Sequence, residues 1–183
     1  HWKSRWGGRA ETEPLRVRQA QSVRRQVNKL SKRHPNAGIL VAGDFNDDFD
    51  DRSLTAALGV ETAAGGEAAP GAGTLYALHA LLPSRERGTF YYRKGDVWNS
   101  FDTIIVNHNL WPRNPAGAGW WVQTNSYRVF RHPDAQTADG APLAFRVHKN
   151  PETERWEYTL GYADHFPVVV DLVRQAGAGR PGR

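Results

Sequence analysis

The stretch Ile39-Leu40-Val41-Ala42-Gly43-Asp44-Phe45-Asn46-Asp47-Asp48 decides the fold of this chain. Its run of four apolar residues predicts a buried strand, and the glycine and acids that follow predict where the strand ends. If other elements cover both faces of this strand, its last residues are held rigidly. Asp44 and Asn46 would then lie side by side at the rim of a sheet, where their oxygen atoms suit a divalent cation and a phosphate. The alternative is an Asp/Asn-rich turn that binds nothing.

The composition indicates one basic domain. The chain has 183 residues, which corresponds to roughly one domain. Its 24 Lys and Arg against 19 Asp and Glu give a net charge of +5, which favours a polyanionic partner, either nucleic acid or a phospholipid surface. The absence of cysteine excludes disulfides and thiolate metal sites. No apolar run approaches the roughly 18 residues that a membrane-spanning helix requires, and no signal peptide is visible.

The N-terminal part predicts a basic segment followed by a helix. Residues 1–9 mix cations, indoles and glycines, which indicates either phosphate contact or a solvated basic end. Because there is no methionine, we expect the chain to belong to a longer protein or to lack an upstream segment. From Thr12 to Leu30, apolar residues recur at helical spacing, with Pro14 in the first turn. The face predicted to be solvated carries Arg16, Arg18, Gln19, Arg24, Arg25 and Lys29, with phosphate contact as the less favoured alternative.

Two further strands carry ionisable side chains. Residues 100–106 predict a strand that starts with an acid and becomes apolar, so Asp102 needs a partner such as a histidine or a backbone donor. Residues 160–172 predict a turn, the adjacent acid and histidine Asp164-His165, and a closing strand whose entry Pro167 fixes. The Asp-His pair is either a structural contact or part of a reactive site.

The remaining segments predict connections and packing. Residues 53–58 predict a short helix, and residues 89–98 predict a hairpin with a tight turn. Residues 61–73 predict a flexible surface loop, and residues 175–183 predict a disordered tail. The aromatic residues of segment 107–158 favour packing under long loops over stacking on bases.

Four signatures occur in one order along the chain, namely His1-Trp2-Lys3-Ser4, Gly43-Asp44-Phe45-Asn46, Ser100-Phe101-Asp102-Thr103-Ile104-Ile105-Val106 and Tyr162-Ala163-Asp164-His165-Phe166-Pro167-Val168. Together they resemble the endonuclease/exonuclease/phosphatase superfamily, which includes pancreatic-type deoxyribonucleases, AP endonucleases, neutral sphingomyelinases and inositol-polyphosphate 5-phosphatases. The resemblance implies an α/β fold, a four-layer α-β-β-α sandwich of two mainly antiparallel sheets, with the site at one rim.

The resemblance also implies which part of that fold is present. The domain would span residues 1–174, as its C-terminal portion, and an N-terminal part with an early Asn and a metal-binding Glu would be missing. Two positions depart from the family, since Ala163 and Asn107 stand where many members have Ser. We expect neither change to abolish the chemistry.

The resemblance assigns a role to each matching side chain. His165 would be the base that takes the proton of the attacking water, and Asp102 would bond its other ring nitrogen. His1 would contact the phosphate or protonate the leaving group. The implied catalytic set is His1, Asp44, Asn46, Asp102, Asp164 and His165. The implied ligands of Mg²⁺ or Mn²⁺ are Asp44, Asn46 and Asp164, and the implied phosphate contacts are Lys3, Arg5 and Asn46.

The resemblance therefore implies a metal-dependent phosphodiester hydrolase. The basic charge favours an endonuclease that cleaves DNA or RNA. One alternative is a phosphatase or phospholipase-type phosphodiesterase acting on sphingomyelin or an inositol phosphate, since one fold serves all these substrates. A membrane-acting enzyme should show an exposed aromatic hairpin, for which Trp120-Trp121 is the candidate. The other alternative is a non-catalytic phosphate-binding fragment. The resemblance favours an extracellular or periplasmic bacterial protein.

Overall fold

The computed structural model describes residues 1–61, 73–111, 119–123 and 125–174. It is a mixed α/β fold with one long helix, one four-stranded sheet and several two-stranded antiparallel sheets. The helix α1 spans Arg9–Arg33, a π-helix spans Ser53–Leu58, and 3₁₀ turns span Leu78–Leu81, Ser84–Glu86, Arg93–Gly95, His108–Leu110 and Pro133–Ala135. The strands are β1 Leu40–Asp44, β2 Val60–Glu61, β3 Leu75–Ala77, β4 Phe90–Tyr92, β5 Val97–Asn99, β6 Asp102–Asn107, β7 Trp120–Val122, β8 Arg128–Val129, β9 Arg146–Lys149, β10 Trp156–Thr159, β11 Val168–Val169 and β12 Leu172–Arg174.

The four-stranded sheet has the order β1-β6-β3-β2, and β6 pairs antiparallel with both of its neighbours. Because side chains alternate along a strand, β6 contributes to a hydrophobic core on each face of the sheet. Ile105 enters the core on one face, and Ile104 and Val106 enter the core on the other. The first core also contains Trp2, Ala20, Val27, Ile39, Phe45, Leu54, Leu58, Val60, Leu75 and Ala77. The second also contains Tyr76, Leu78, Leu110, Trp111, Val122 and Tyr127.

The strand β1 differs from the prediction that both of its faces are covered. One of its faces is uncovered, because Leu40 and Ala42 are exposed, Leu40 by 42%. Within the described residues the strand also lies at the edge of the sheet. Its last residue is nevertheless fixed, because β6 pairs along its whole length and places Asp44 opposite Asp102. One antiparallel neighbour therefore suffices to hold the end of this strand.

Helix α1 begins three residues before the predicted start, so Pro14 lies inside it. Ala20 and Val27 are buried as predicted, whereas Leu15 is 44% exposed. The prediction that Arg16 is solvated is wrong, because its side chain is completely buried. The helix turns Arg16 toward the loop after β1, where an aspartate compensates its charge.

Two other local predictions are confirmed. The short helix at residues 53–58 is the π-helix, and Gly59 ends it in the left-handed conformation with a φ of 71°. The hairpin at residues 89–98 is formed by β4 and β5. The closing strand is interrupted, since β11 pairs with β8 while β12 pairs with β7.

The aromatic segment 107–158 divides between core and surface. Trp111 and Tyr127 are buried as predicted, whereas Trp156 is 72% exposed. None of the described helices combines the length and the apolar character needed to cross a bilayer. The predicted tail 175–183 and nearly all of the predicted loop 61–73 lie outside the described residues. The four-layer sandwich and the absence of an N-terminal part of the domain stay predictions.

Candidate active site

The centre of the candidate site is a hydrogen bond between two residues that are far apart in the sequence. Nδ1 of His165 lies 2.7 Å from Oδ2 of Asp102. Asp102 is the first residue of β6, and His165 precedes β11 and forms a β-bridge with Phe90. The Phe90 and His165 rings are 4.8 Å apart between centroids, so packing also limits the orientation of the imidazole. The partner that the sequence predicted for Asp102 is therefore His165.

Asp44 completes a cluster with this pair. The antiparallel register of β1 and β6 places Asp44 opposite Asp102. One ligand atom from each of Asp44, Asp102 and His165 lies within 4.8 Å of the others. His1 adds a second imidazole, because its Nε2 lies 3.2 Å from Oδ2 of Asp44. The structure therefore brings two histidines and two aspartates to one edge of the sheet.

The backbone at the end of β1 orients Asp44 and Asn46. Gly43 has a φ of 152°, a conformation that side-chain-bearing residues rarely adopt. Asn46 has a φ of 52°, which asparagine tolerates better than most residues. Its backbone N–H donates to Oδ1 of Asp44 at 2.8 Å, and its Nδ2 donates to the carbonyl of Trp2 at 3.2 Å. Asp44 and Asn46 thus lie side by side, as the sequence predicted.

The protonation of the cluster follows from its burial and its charges. Burial raises the pKa of Asp44, the Asn46 N–H opposes this, and the charge of Asp102 adds to the rise. Burial by itself lowers the pKa of His165, but the hydrogen bond and charge of Asp102, together with the charges of Asp44 and Asp164, raise it above 6.5 overall. Below this raised pKa the imidazole of His165 is protonated, and its positive charge compensates the negative charges of the carboxylates.

The oxygen donors of this cluster suit a hard divalent cation. Asp44 is partly desolvated and faces Asp102, so the paired acids would gain from a cation between them. The predicted ligand Asp164 has an exposed side chain and does not belong to the compact cluster, although its charge acts on His165. Asp44 with Asn46 beside it fits the predicted metal set, and the part played by Asp164 stays a prediction.

Arg5, for which the resemblance implied a phosphate contact, contacts a group of acidic side chains. Its Nη2 contacts the carboxylates of Asp47, Asp48 and Asp51, at 3.2, 3.3 and 2.6 Å, and its Nε donates to the carbonyl of Asn46 at 2.9 Å. Three acids and a carbonyl already use Nη2 and Nε, and the phosphate contact stays a prediction. Arg5 instead holds the acidic end of the Gly-Asp-Phe-Asn stretch in place.

Lys3 lies beside His1 in a cavity of about 530 Å³. Its ammonium is 3.5 Å from the carbonyl of Trp6. Arg18 lines the same cavity from α1, so this helix residue reaches the site region although sequence reasoning favoured a solvated role for it. In the sequence, phosphate contact by Arg18 was only the less favoured alternative for the cations of this helix.

A second cavity of about 550 Å³ is lined by both members of the Asp102–His165 pair. Its wall includes Phe130, for which the sequence favoured packing over base stacking, Tyr162 of the fourth signature, and His132, to which no role was assigned. Phe130 and His132 lie in the segment of scattered aromatics, where no local pattern links them to His165. The antiparallel pairing of β8 with β11 brings them there.

A protein-family model and two solved structures match this chain. The model of the endonuclease/exonuclease/phosphatase family matches residues 1–174. Comparison with curated proteins gave no match.

Two solved structures from Bacteroides thetaiotaomicron are similar to the chain. The mannosyl-6-phosphatase of strain VPI-5482 has 20% sequence identity and a TM-score of 0.46, and the match covers 87% of this chain and 46% of the phosphatase. An endonuclease/exonuclease/phosphatase family protein has 20% identity and a TM-score of 0.47, with 89% of this chain and 46% of that protein covered. The chain thus spans slightly less than half of either structure.

The family match extends over all four motifs, from the segment of His1 to the strand that follows His165. The matched residues 1–174 make up nearly all of the 183-residue sequence. The chain therefore belongs to the endonuclease/exonuclease/phosphatase family.

Proposed function

We propose that this protein is a divalent-metal-dependent phosphodiester hydrolase whose substrate is nucleic acid. Members of its family are hydrolases of phosphoester bonds and generally depend on a divalent metal. The observation that carries the proposal is the 2.7 Å hydrogen bond between His165 and Asp102, placed within 4.8 Å of Asp44. A histidine oriented by a carboxylate beside a second carboxylate is suited to removing a proton from water next to a phosphate.

His165 is proposed as the base. A carboxylate only accepts hydrogen bonds, so Asp102 keeps the hydrogen of the neutral imidazole on Nδ1 and leaves the lone pair on Nε2. Nε2 then takes the proton of the attacking water, and Asp102 stabilises the imidazolium that forms. The raised pKa of His165 makes it a stronger base once it is deprotonated.

Asp44 and Asn46 are proposed to hold the metal and the phosphate. Asp44 supplies a carboxylate oxygen and Asn46 a neutral amide, and their backbone is fixed by the turn after β1. When bound, Mg²⁺ or Mn²⁺ would compensate the negative charge of the phosphate oxygens. His1, whose Nε2 faces Asp44, is proposed to contact the phosphate or to protonate the leaving oxygen.

The cavity of about 530 Å³ beside His1 favours a polyanionic substrate. Lys3 and Arg18 line it together with the polar side chains of Ser4 and Gln19. Two cations next to a proposed phosphate site would contact neighbouring phosphates of a polynucleotide, which a phosphomonoester does not have. The net charge of +5 acts in the same direction.

The test compares substrates under one condition. The full-length protein is incubated with Mg²⁺ and plasmid DNA, an RNA transcript, sphingomyelin vesicles or a phosphoinositide, and product formation is measured. Cleavage of a nucleic acid that the His165→Ala substitution abolishes supports the proposal. Nucleic acid cleavage that survives His165→Ala would refute the assigned base. No turnover of any substrate would favour a non-catalytic phosphate-binding protein.

A second candidate is hydrolysis of a phospholipid, which an exposed hairpin favours. Trp120-Trp121 does not form this hairpin, because β7 pairs with the distant β12. The exposed aromatic hairpin is β9–β10, where Val147 is paired with Tyr158 and both are more than half exposed, as is Trp156 on the same face. Release of phosphocholine or a phosphate from lipid vesicles, without DNA cleavage, would establish this function instead.

A further inference from the structure

The cavity of about 550 Å³ beside His165 has no role in the proton transfer described above. Asp102 and His165 form one part of its wall, so whatever fills it adjoins the atoms that react. The rest of its wall consists of Phe130, His132, Asp134, Ala135, Tyr162, Ala163, Phe166 and Pro167.

The rings of this cavity are partly exposed and held by the backbone. The backbone N–H of Phe130 donates to the carbonyl of Pro167 at 2.8 Å, and the pairing of β8 with β11 continues this contact. Phe130 is 44% exposed, and its ring lies 6.2 Å from that of His132 between centroids. Tyr162 is 75% exposed at the rim. Exposed rings with fixed backbones form a surface on which a planar group can stack.

The charges of this cavity favour an uncharged group over a second phosphate. Among the described residues that line it, none is lysine or arginine, and two, Asp102 and Asp134, are acids. A polyphosphorylated inositol ring would place anions beside these acids, with no lysine or arginine of the described lining to bind them. The cavity of about 530 Å³ beside His1 has the opposite character, since it is lined by Lys3 and Arg18. The cavity beside His165 therefore suits an uncharged group, and the cavity beside His1 suits a charged backbone.

We propose that the Phe130–His132–Tyr162 cavity binds the base of the nucleotide whose phosphate reacts at His165. This inference rests on the proposed function. A base in this cavity must leave its stack and its partner, which is easiest in a single strand. The protein is therefore a nuclease that prefers a single-stranded substrate, and this preference comes from the base-binding cavity.

The test measures binding without turnover. Thymidine 5′-monophosphate and 2-deoxyribose 5-phosphate share a phosphate and a sugar and differ in the base, so the ratio of their dissociation constants isolates the base. Isothermal titration calorimetry with the full-length protein and Mg²⁺ should show that thymidine monophosphate binds about ten-fold or more tightly. Phe130→Ala and Tyr162→Ala should each reduce this ratio. Trp156→Ala, which removes an exposed aromatic residue outside the cavity, should leave the ratio unchanged.

Three outcomes would overturn the subsite. These are equal affinity for the two ligands, a ratio that neither Phe130→Ala nor Tyr162→Ala changes, or mannose 6-phosphate binding as tightly as thymidine monophosphate. The last outcome would assign the cavity to a sugar ring. Hydrolysis of bis(p-nitrophenyl) phosphate, which has no base, tests the proposed function separately. If that hydrolysis fails while the base-dependent binding persists, the proposed catalytic function is wrong and the subsite stands.

Discussion

Nε of Arg16 lies 2.7 Å from Oδ1 of Asp47, and both side chains are almost completely buried. Arg16 belongs to α1, and Asp47 directly follows the Gly-Asp-Phe-Asn turn. The same guanidinium donates to the hydroxyl of Thr12 at 2.7 Å, and the other oxygen of Asp47 accepts from the hydroxyl of Ser53 at 2.6 Å. This ion pair ties the helix to the turn that carries Asp44.

Removing one partner of this pair should destabilise the fold strongly. We expect Arg16→Met to lower the free energy of unfolding by up to about 3–5 kcal/mol, because the buried charge of Asp47 then keeps only the 3.2 Å contact with Arg5 as a described ion pair. Urea unfolding followed by circular dichroism measures the loss. Arg25→Met on the exposed side of the same helix is the control and should change stability by less than about 0.5 kcal/mol. Equal effects of the two substitutions would contradict a structural role for the pair.

Loss of the proposed base should reduce catalysis much more than loss of another histidine. We expect His165→Ala to lower kcat by about 10²–10⁴-fold on the nucleic acid that the wild-type protein cleaves. Asp102→Asn should also lower kcat, since the hydrogen bond that fixes the tautomer of His165 changes. His148→Ala, on the exposed strand β9, is the matched control and should retain activity. Steady-state kinetics at saturating Mg²⁺ distinguishes these results.

The pH dependence of activity should report the raised pKa of His165. The base must be neutral, so kcat/KM should rise with pH through a pKa above 6.5. In Asp102→Asn the influence of that carboxylate is lost while burial remains, so the acidic limb should move to lower pH. The stability of the fold should change in the opposite direction to activity as the pH rises. The raised pKa of His165 stabilises the folded protein below pH 6.5, and this contribution disappears as the pH rises through the raised value. An unchanged acidic limb in Asp102→Asn would contradict the pairing.

The cation of Arg18 should contribute to binding of a polyanion and little else. We expect Arg18→Gln to weaken binding of a fluorescein-labelled oligonucleotide and to reduce the slope of log K against log salt by about 1, if the side chain neutralises one phosphate. Lys29→Gln makes the same change of charge three turns further along α1 and serves as the control. Fluorescence anisotropy between 50 and 200 mM salt measures both slopes, in the range used for such contacts. Identical slopes for the two variants would show that the cavity beside His1 does not hold a phosphate.

A buried histidine outside the site should make the fold sensitive to acid. Burial, with a smaller contribution from Arg87, lowers the pKa of His79 to about 3. Its Nδ1 lies 2.8 Å from Oγ1 of Thr103, and its Nε2 has no hydrogen-bond partner among the described residues. The unfolded chain takes up a proton near pH 6.5, whereas the folded chain does not, so stability falls as the pH decreases below 6.5.

The size of this effect follows from the two pKa values. Because of His79, the free energy of unfolding should fall by about 2 kcal/mol when the pH is lowered from 7 to 5. His79→Leu should lack this contribution, so its unfolding free energy should depend less on pH than that of the wild type. Urea denaturation at pH 7, 6 and 5 measures both slopes. Parallel slopes would mean that His79 is protonated in the folded protein.

The sequence by itself determined the family and indicated the strands and side chains that meet in the candidate site. These features are local, because each motif lies within a few consecutive residues, such as Gly43-Asp44-Phe45-Asn46 and Asp164-His165. A strand followed by an acid is visible from hydropathy alone. The prediction that Asp102 needs a partner came from the cost of burying a charge, and that cost acts in any fold.

Only the tertiary structure decided which charges are used by the fold and which remain at the site. Arg5 and Arg16 look like other basic residues in the sequence, yet both bind aspartates that follow the turn, because helix α1 and the N-terminal segment pack against it. The pairing of β8 with β11 likewise carries Phe130 to His165 across a separation that no local pattern spans. Burial and partner choice depend on contacts between distant residues, and a one-dimensional pattern does not contain them.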